Sequence, residues 1–319
     1  MSLPAVILVG GEGTRLRPLT ERVPKPMLPL LDRPLLEYTL DHLRTADVDL
    51  SLLACGYLPT EIARHFGYAY NGMALDYRVE PMPLGTAGAI AYAARGIGET
   101  FLALNGDSLR EADLNRLVAF HRSSGAKATI LLTHVPDPGR FGLVRTAPDG
   151  RVREFVEKPD PDAIDTDTIN AGVYVLEPEV LDLVPRERPV SIERTVFPEL
   201  AREGSLFALA LPGYWLDIGT PASYLQAHLD LLGRDPKMSI AEGAEVAGEV
   251  ELIPPVRIEP EARVSAGSRI GPFVHLGRGA YVGRRAVARW TAVLPRAEVA
   301  EDAHVVRSIV APGIGAVLA

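Results

Sequence analysis

Cysteine is almost missing. Cys55 is the single thiol in 319 residues, which excludes an intramolecular disulfide. It lies in the apolar run Leu52-Leu53-Ala54-Cys55 and reads as a core residue rather than a nucleophile. A basic surplus is also missing. Lys and Arg number 33 against 41 Asp and Glu, leaving a net charge of −8 and a pI of about 5.5. Global attraction to nucleic acid or to an anionic membrane is thereby excluded, and an anionic substrate has to be held by local positive groups. No uncharged apolar run reaches about 18 residues, so no membrane span is expected. The N-terminus has no basic stretch leading into an apolar one, so no signal peptide is expected and a cytoplasmic location is the default. What is present, 47% hydrophobic and 23% charged residues, suffices for one or two soluble domains with a large core.

Up to about residue 232 short apolar runs alternate with helical periodicity. The runs are Ala5–Val9, Leu50–Ala54, Leu75–Val79, Phe101–Leu104 and Ala128–Leu132. Between them Leu36, Leu40 and Leu43, and later Leu114, Leu117, Val118 and His121, recur at helical spacing, and Pro34 suits a helix start. This rhythm predicts an α/β domain, a Rossmann-like and mostly parallel sheet with helices on both faces, over residues 1–232. Ligands in such sheets sit at the carboxyl ends of the strands.

From residue 239 the texture changes. Ile240, Val246, Leu252, Ile258, Val264, Ile270, Leu276 and Val282 recur every six residues, and the phase continues more weakly through Ala288, Leu294, Ala300 and Val306. A period of six fits neither helix nor hairpin. It predicts a parallel β-helix over 239–319 in which each flat face contributes one inward aliphatic residue. The hexads resemble those of left-handed β-helix domains. Such a domain is expected to be a scaffold and a surface for homo-oligomer assembly. No catalytic pair accompanies the hexads, and His275 and His304 read as solvated or core-edge residues.

The chemistry concentrates near the start. Gly10-Gly11-Glu12-Gly13-Thr14-Arg15 follows the first apolar run, with Pro24-Lys25-Pro26 close behind. Glycines let the backbone turn sharply and approach a bound group, and successive bare N–H groups form an anion nest. Arg15 offers a planar charged fork and Lys25 a mobile point charge for phosphate oxygens. The spacing is neither that of a P-loop nor that of a dinucleotide loop, because Gly-Thr-Arg follows the second glycine and Leu16 replaces a third. The run GGEGTRLRPLT…PKP resembles the nucleotide-binding signature of sugar-1-phosphate nucleotidylyltransferases.

The likeness extends over residues 1–232 and implies a site. By it, Gly10, Gly11, Gly13, Thr14, Arg15 and Lys25 hold a nucleoside triphosphate. Val156-Glu157-Lys158-Pro159 resembles the family's sugar-phosphate motif, with Lys158 on the phosphate and Glu157 on sugar hydroxyls. Asn170 in Ile169-Asn170-Ala171-Gly172 reads further hydroxyls, and Phe141-Gly142 matches a loop whose backbone approaches the hexose. Asp107 and Asp217 are the positions that bind the divalent cation, and two carboxylates suit Mg²⁺, which usually takes substrate phosphates as well. A lone Asp217 is otherwise read as a helix cap, and a lone Asp107 as a turn carboxylate. Catalysis is then positioning and charge neutralisation, with Arg15, Lys25, Asp107 and Asp217 as its catalytic groups and no covalent intermediate.

Glu80 through Gly88 resembles the base-reading loop, which implies nucleotide contacts at Glu80, Gly85 and Thr86. A carboxylate at Glu80 accepts two donors from the edge of guanine, whereas uracil and thymine offer one N–H between oxygens that repel it. The loop, Pro189–Glu193 and Gly213–Gly219 together resemble the mannose-1-phosphate guanylyltransferase branch. Asn105-Gly106-Asp107-Ser108 and Ala89 depart from that branch and leave glucose-1-phosphate thymidylyl- or uridylyltransferase open. A non-catalytic nucleotide-sugar-binding subunit is the competing class, and loss of phosphate ligands would mark it. An acetyltransferase activity in the β-helix is a third reading.

Overall fold

The structure, a computed structural model, describes residues 3–157, 164–185 and 188–319. The chain forms two compact units. One runs to Glu12 and again from Leu36 to Trp215, and the other joins Gly13–Leu35 to Leu216–Ala319.

A ten-stranded sheet forms the first unit. The strands Phe101–Asn105, Ala5–Leu8, Leu50–Cys55 and Met73–Val79 lie side by side and all parallel. Ala5, Val6 and Ile7 are fully buried, as are Phe101 to Leu104. Burial on both faces is why these segments read as unbroken apolar runs rather than as alternation. Beyond Phe101–Asn105 the sheet turns antiparallel. Thr168–Leu176 pairs with it and with Ala128–His134, and its first half also touches Gly142–Thr146, which pairs with Val152–Glu157. The sheet is therefore mixed. Leu36, Leu40 and Leu43 of the helix Leu35–Arg44 have no exposed surface, and Leu114, Leu117, Val118 and His121 are the buried stripe of Leu114–Ser124. Cys55 is fully buried and its thiol is pushed up to about 12, chiefly by that burial, which makes it inert.

The second unit contains the parallel β-helix. Its strands stack in three sheets, parallel apart from the final strand Gly315–Leu318, and partners stand three hexads apart: Met238 pairs with Val256, and Val256 with Val274. Ile258, Val264, Ile270, Leu276, Val282 and Ala288 all point into one core. The hexad phase then breaks. Val274 pairs with Thr291 and Tyr281 with Glu298, one residue short of three hexads. The turn at Trp290, which has a positive φ of 46°, spans five residues between the inward positions of Ala288 and Val293. Val293, Val299 and Val305 thus take the inward places expected at Leu294, Ala300 and Val306; Ala300 and Val306 face out, and Leu294 is buried one position beyond the inward row.

One face of the β-helix is covered. The helix Pro221–Arg234 packs on the strands Val274–Leu276, Thr291–Val293 and Ser308–Ala311. The outward row His275, Ala292 and Ile309 has no exposed surface for that reason. Thr220 caps this helix through a reciprocal pair with Ser223, and Pro221 takes its first position. His304 is exposed, whereas His275 is buried with its ring 5.5 Å from that of His228 on the helix.

Two outcomes follow for stability. Val299→Asp places a carboxylate in the β-helix core and is expected to cost at least about 3 kcal/mol in urea unfolding, while Ala300→Asp stays within about 0.5 kcal/mol; equal losses would mean the phase does not slip. The second concerns acid. Burial holds His228 well below the usual histidine range, helped by the neighbouring His275, and burial likewise lowers His275 against the opposing pull of Glu259. The unfolded chain then binds more protons than the folded one, so this contribution to stability is complete above about pH 6.5 and declines as pH falls below it. Melting temperature is expected to drop between pH 7.5 and 5.5, and the drop to shrink in His275→Gln.

Candidate active site

In the first unit the carboxyl ends of four parallel strands lead into Gly10, Gly56, Glu80 and Gly106-Asp107. The backbone is tight there. Tyr57 N donates to Gly10 O (3.3 Å), and a Cβ on Gly10 would stand 3.1 Å from both Gly56 N and Glu80 Oε1. Glu80 does not point away into solvent. Its N donates to Cys55 O (2.8 Å), and its Oε2 accepts from Leu84 N at 2.9 Å. Burial pushes its carboxyl above the usual range and the Leu84 N–H pulls it back. A cleft of about 500 Å³ is walled by Gly10, Gly11, Glu80, Gly85 and Thr86, among others. The structure thus gathers five of the expected nucleotide-binding residues.

Thr86 is committed within the protein. Its hydroxyl donates to Glu193 Oε2 (2.9 Å) and accepts from Ile192 N (2.8 Å). Ser191 Oγ donates to the same carboxylate oxygen at 2.7 Å. Val190 N donates to Leu84 O (2.7 Å), and Val190 O accepts from Ala87 N (2.9 Å). Two sequence segments a hundred residues apart are thus laced into one wall of the cleft.

The expected sugar residues fall on adjacent strands. Gly142 is the cross-strand partner of Glu157, and Leu143 pairs with Ile169 beside Asn170. Asn170 Oδ1 accepts from Gly172 N (2.9 Å), and its Nδ2 donates to the Tyr174 hydroxyl (3.0 Å), so the amide is oriented by its own strand. Lys158 and the side chain of Glu157 lie outside the described residues.

Asp107, half-buried, sits in the turn between Phe101–Asn105 and Ser108–Arg110. Next to it is a residue that the motifs do not mark, Arg110. It is buried, donates to Asn105 O and Ser108 Oγ, and is lowered by burial to about 10, with the charge of Asp107 opposing. A charged residue beside Leu109, ahead of the helix Leu114–Ser124, is its one sequence signal.

The phosphate-binding expectations fall in the second unit. Gly13 takes a positive φ of 62° and opens the short turn Thr14–Leu16. Thr20 Oγ1 donates to Gly13 O at 2.8 Å, and a Cβ on Gly13 would stand 3.3 Å from Lys25 Cβ. Leu16 is anchored in the core, leaving Thr14 and Arg15 exposed, while Lys25 is buried. Asp217 is not a helix cap, since Thr220 holds that place. Its carboxylate and the Arg15 guanidinium both end close to Gly219. A Cβ on Gly219 would lie 2.8 Å from Asp217 Oδ2 and 2.9 Å from Arg15 Nη2, so an added side chain would push both charged ends aside.

The nucleotidyl transferase family profile matches residues 4–234. The chain belongs to the nucleotidyl transferase family. It is therefore a transferase, and nucleotidyltransferases of this family generally use a divalent metal. The mannose-1-phosphate guanylyltransferase of Mycobacterium tuberculosis is 42% identical over 232 residues, which are 72% of this chain and 64% of that one. Mannose-1-phosphate guanylyltransferase 1 of Arabidopsis thaliana is 39% identical over 260 residues, 78% and 71% of the two chains. Among solved structures, HddC from Yersinia pseudotuberculosis complexed with GMP-PN shares 29% identity at a TM-score of 0.60, covering 70% of this chain and 97% of that chain.

Among the described residues of this nucleotidyl transferase no three His, Cys, Asp or Glu cluster as metal ligands, and no helix is long and apolar enough to cross a membrane. Glu193 and Gly219 stand inside segments that the family likeness covers, yet their roles are legible only in three dimensions. Gly219→Ala is expected to displace Arg15 and Asp217 and to lower kcat about 100-fold with little change in melting temperature. A rate within twofold of the parent would show that the two side chains absorb the extra carbon without loss.

Proposed function

We propose that the chain is a mannose-1-phosphate guanylyltransferase, transferring a guanylyl group from GTP to mannose-1-phosphate. The observation that carries this reading is Glu80, a carboxylate on the wall of the cleft beside Gly10 with one oxygen fixed by Leu84 N–H. A carboxylate oxygen accepts more than one bond, so the Watson–Crick edge of guanine, with N1–H and N2–H₂, suits it and a pyrimidine does not. The names of the relatives point the same way.

A phosphate oxygen of the sugar-1-phosphate attacks the α-phosphorus. The bond from that phosphorus to the bridging oxygen breaks, and pyrophosphate leaves with the electron pair. Arg15 and Lys25 neutralise the triphosphate, and Lys158 holds the attacking phosphate. Glu157, Gly142 and Asn170 receive the hexose. Asp107 and Asp217 are the carboxylates assigned to Mg²⁺. Two carboxylates suit a hard ion that draws its other ligands from phosphates and water. When bound, the ion supplies charge neutralisation on the phosphates. Nucleotidyl transfer is assigned to residues 1–232, and the β-helix of 239–319 also to self-association.

Pyrophosphate release is to be measured for each of GTP, UTP and dTTP against mannose-1-phosphate and glucose-1-phosphate. GTP with mannose-1-phosphate is expected to give the highest kcat/KM. Glu80→Gln then turns one acceptor into a donor facing a donor, and GTP loses about 2–3 kcal/mol in kcat/KM while the KM of the sugar-1-phosphate hardly moves. A parent enzyme that prefers dTTP or UTP, or a variant whose GTP-to-dTTP ratio is unchanged, would remove the basis for guanine.

A further inference from the structure

The segment that carries Arg15 and Lys25 belongs to the same compact unit as the β-helix, although more than 200 residues of chain separate Lys25 from its first coil. Four residues after Lys25 the chain makes a tight hairpin, Pro29–Leu30 against Arg33–Pro34, with Leu31 at a positive φ of 53°. Leu28 N donates to Lys25 O (3.1 Å) and Leu35 N to Leu28 O (3.0 Å), so the hairpin and the Lys25 turn form one braced piece.

That piece is gripped from the β-helix side. Arg257 stands on the covered face, in register with His275. Its Nη2 donates to Asp32 Oδ2 at the hairpin tip (2.7 Å), and its Nε to Glu259 Oε1 (2.5 Å). His275 Nε2 lies 3.5 Å from the same Glu259 oxygen. From the helix Pro221–Arg234, the Tyr224 hydroxyl donates to Pro29 O, and His228 Nδ1 accepts from Leu31 N at 3.5 Å. Further along, Pro18 to Val23 face Leu294, Pro295 and the turn at Pro312 across a cleft of about 490 Å³.

We propose that the β-helix positions the phosphate-binding loop, and that Arg257 and Asp32 are positioning residues acting through Lys25. This rests on the assignment of Lys25 to the triphosphate. A lysine on a flexible stem neutralises a leaving pyrophosphate only where its backbone is fixed, and the hairpin clamp supplies that fixation. The β-helix is then a working part of the nucleotide site as well as a scaffold.

The test uses the full chain and five variants: Lys25→Ala, Asp32→Asn, Arg257→Gln, the combination of Asp32→Asn with Lys25→Ala, and Arg285→Gln. The last breaks an exposed ion pair with Asp302 on the same β-helix. Melting temperature, kcat, and the KM of GTP and of mannose-1-phosphate are measured for each. Asp32→Asn and Arg257→Gln are expected to lower kcat about tenfold, with melting temperature and the sugar-1-phosphate KM unchanged. In the Lys25→Ala background Asp32→Asn is expected to add nothing, because the residue it positions is gone. Arg285→Gln is expected to behave as the parent. Parental kcat in Asp32→Asn beside a crippled Lys25→Ala overturns the inference alone, as does a loss that adds to that of Lys25→Ala or an equal loss in Arg285→Gln. Full activity in Lys25→Ala overturns the role of Lys25 and the inference together.

Discussion

A guanidinium and a carboxylate both end beside the α-carbon of one glycine, where a side chain would displace them. Arg15 and Asp217 come from chain segments 200 residues apart, and the point they share is the missing Cβ of Gly219. Opposite charges gathered at one place before substrate arrives are a form of preorganisation, which needs little rearrangement during reaction. Local features of the second unit set where the two side chains start. Gly13 turns the chain so that Leu16 is buried and Arg15 is not, and the Thr220–Ser223 cap starts the following helix immediately after Gly219.

The first unit solves a different problem. A chain of net charge −8 has to accept a polyanion. The cleft beside Glu80 has backbone glycines and apolar loops on its walls, and Glu80 is itself a negative group. In the proposed reading charge neutralisation is therefore left to Arg15, Lys25 and Lys158, while Glu80 discriminates by repelling the wrong edge of a base. The lacing of Leu84–Gly88 to Val190–Glu193 gives that discrimination a rigid backing, since a carboxylate on a loose loop would turn toward whichever donor was offered.

The strands were legible because burial on both faces leaves an unbroken apolar signature, and the β-helix because one inward aliphatic per face repeats in sequence. The phase slip after Ala288 was not, since Leu294, Ala300 and Val306 are apolar by coincidence and only the register shows which valine faces inward. The glycine loop, Asp107 and Asp217 stand out in the sequence only as a family likeness, and their roles are those proposed above. Arg110 was not, because no motif requires it and its role depends on the depth at which it lies. Nor was the Asp32–Arg257 contact, which joins two ordinary surface-type residues 225 positions apart. Such long-range pairs leave no periodicity for a sequence to display.

That separation also sets an order of events in the making of the protein. On a ribosome adding about 5–20 residues per second, the hairpin at Asp32 emerges on the order of ten to forty seconds before Arg257 exists. For most of that interval, until Asp217, Tyr224 and His228 emerge, the segment from Arg15 to Asp32 lacks its native neighbours from the later part of the chain. The sheet of the first unit, by contrast, draws on residues between Ala5 and Ala210 and is complete earlier. The oldest part of the chain is thus among the last to reach its native surroundings, and a nascent or truncated chain can own a finished sheet while the loop of Arg15 and Lys25 is still without a seat.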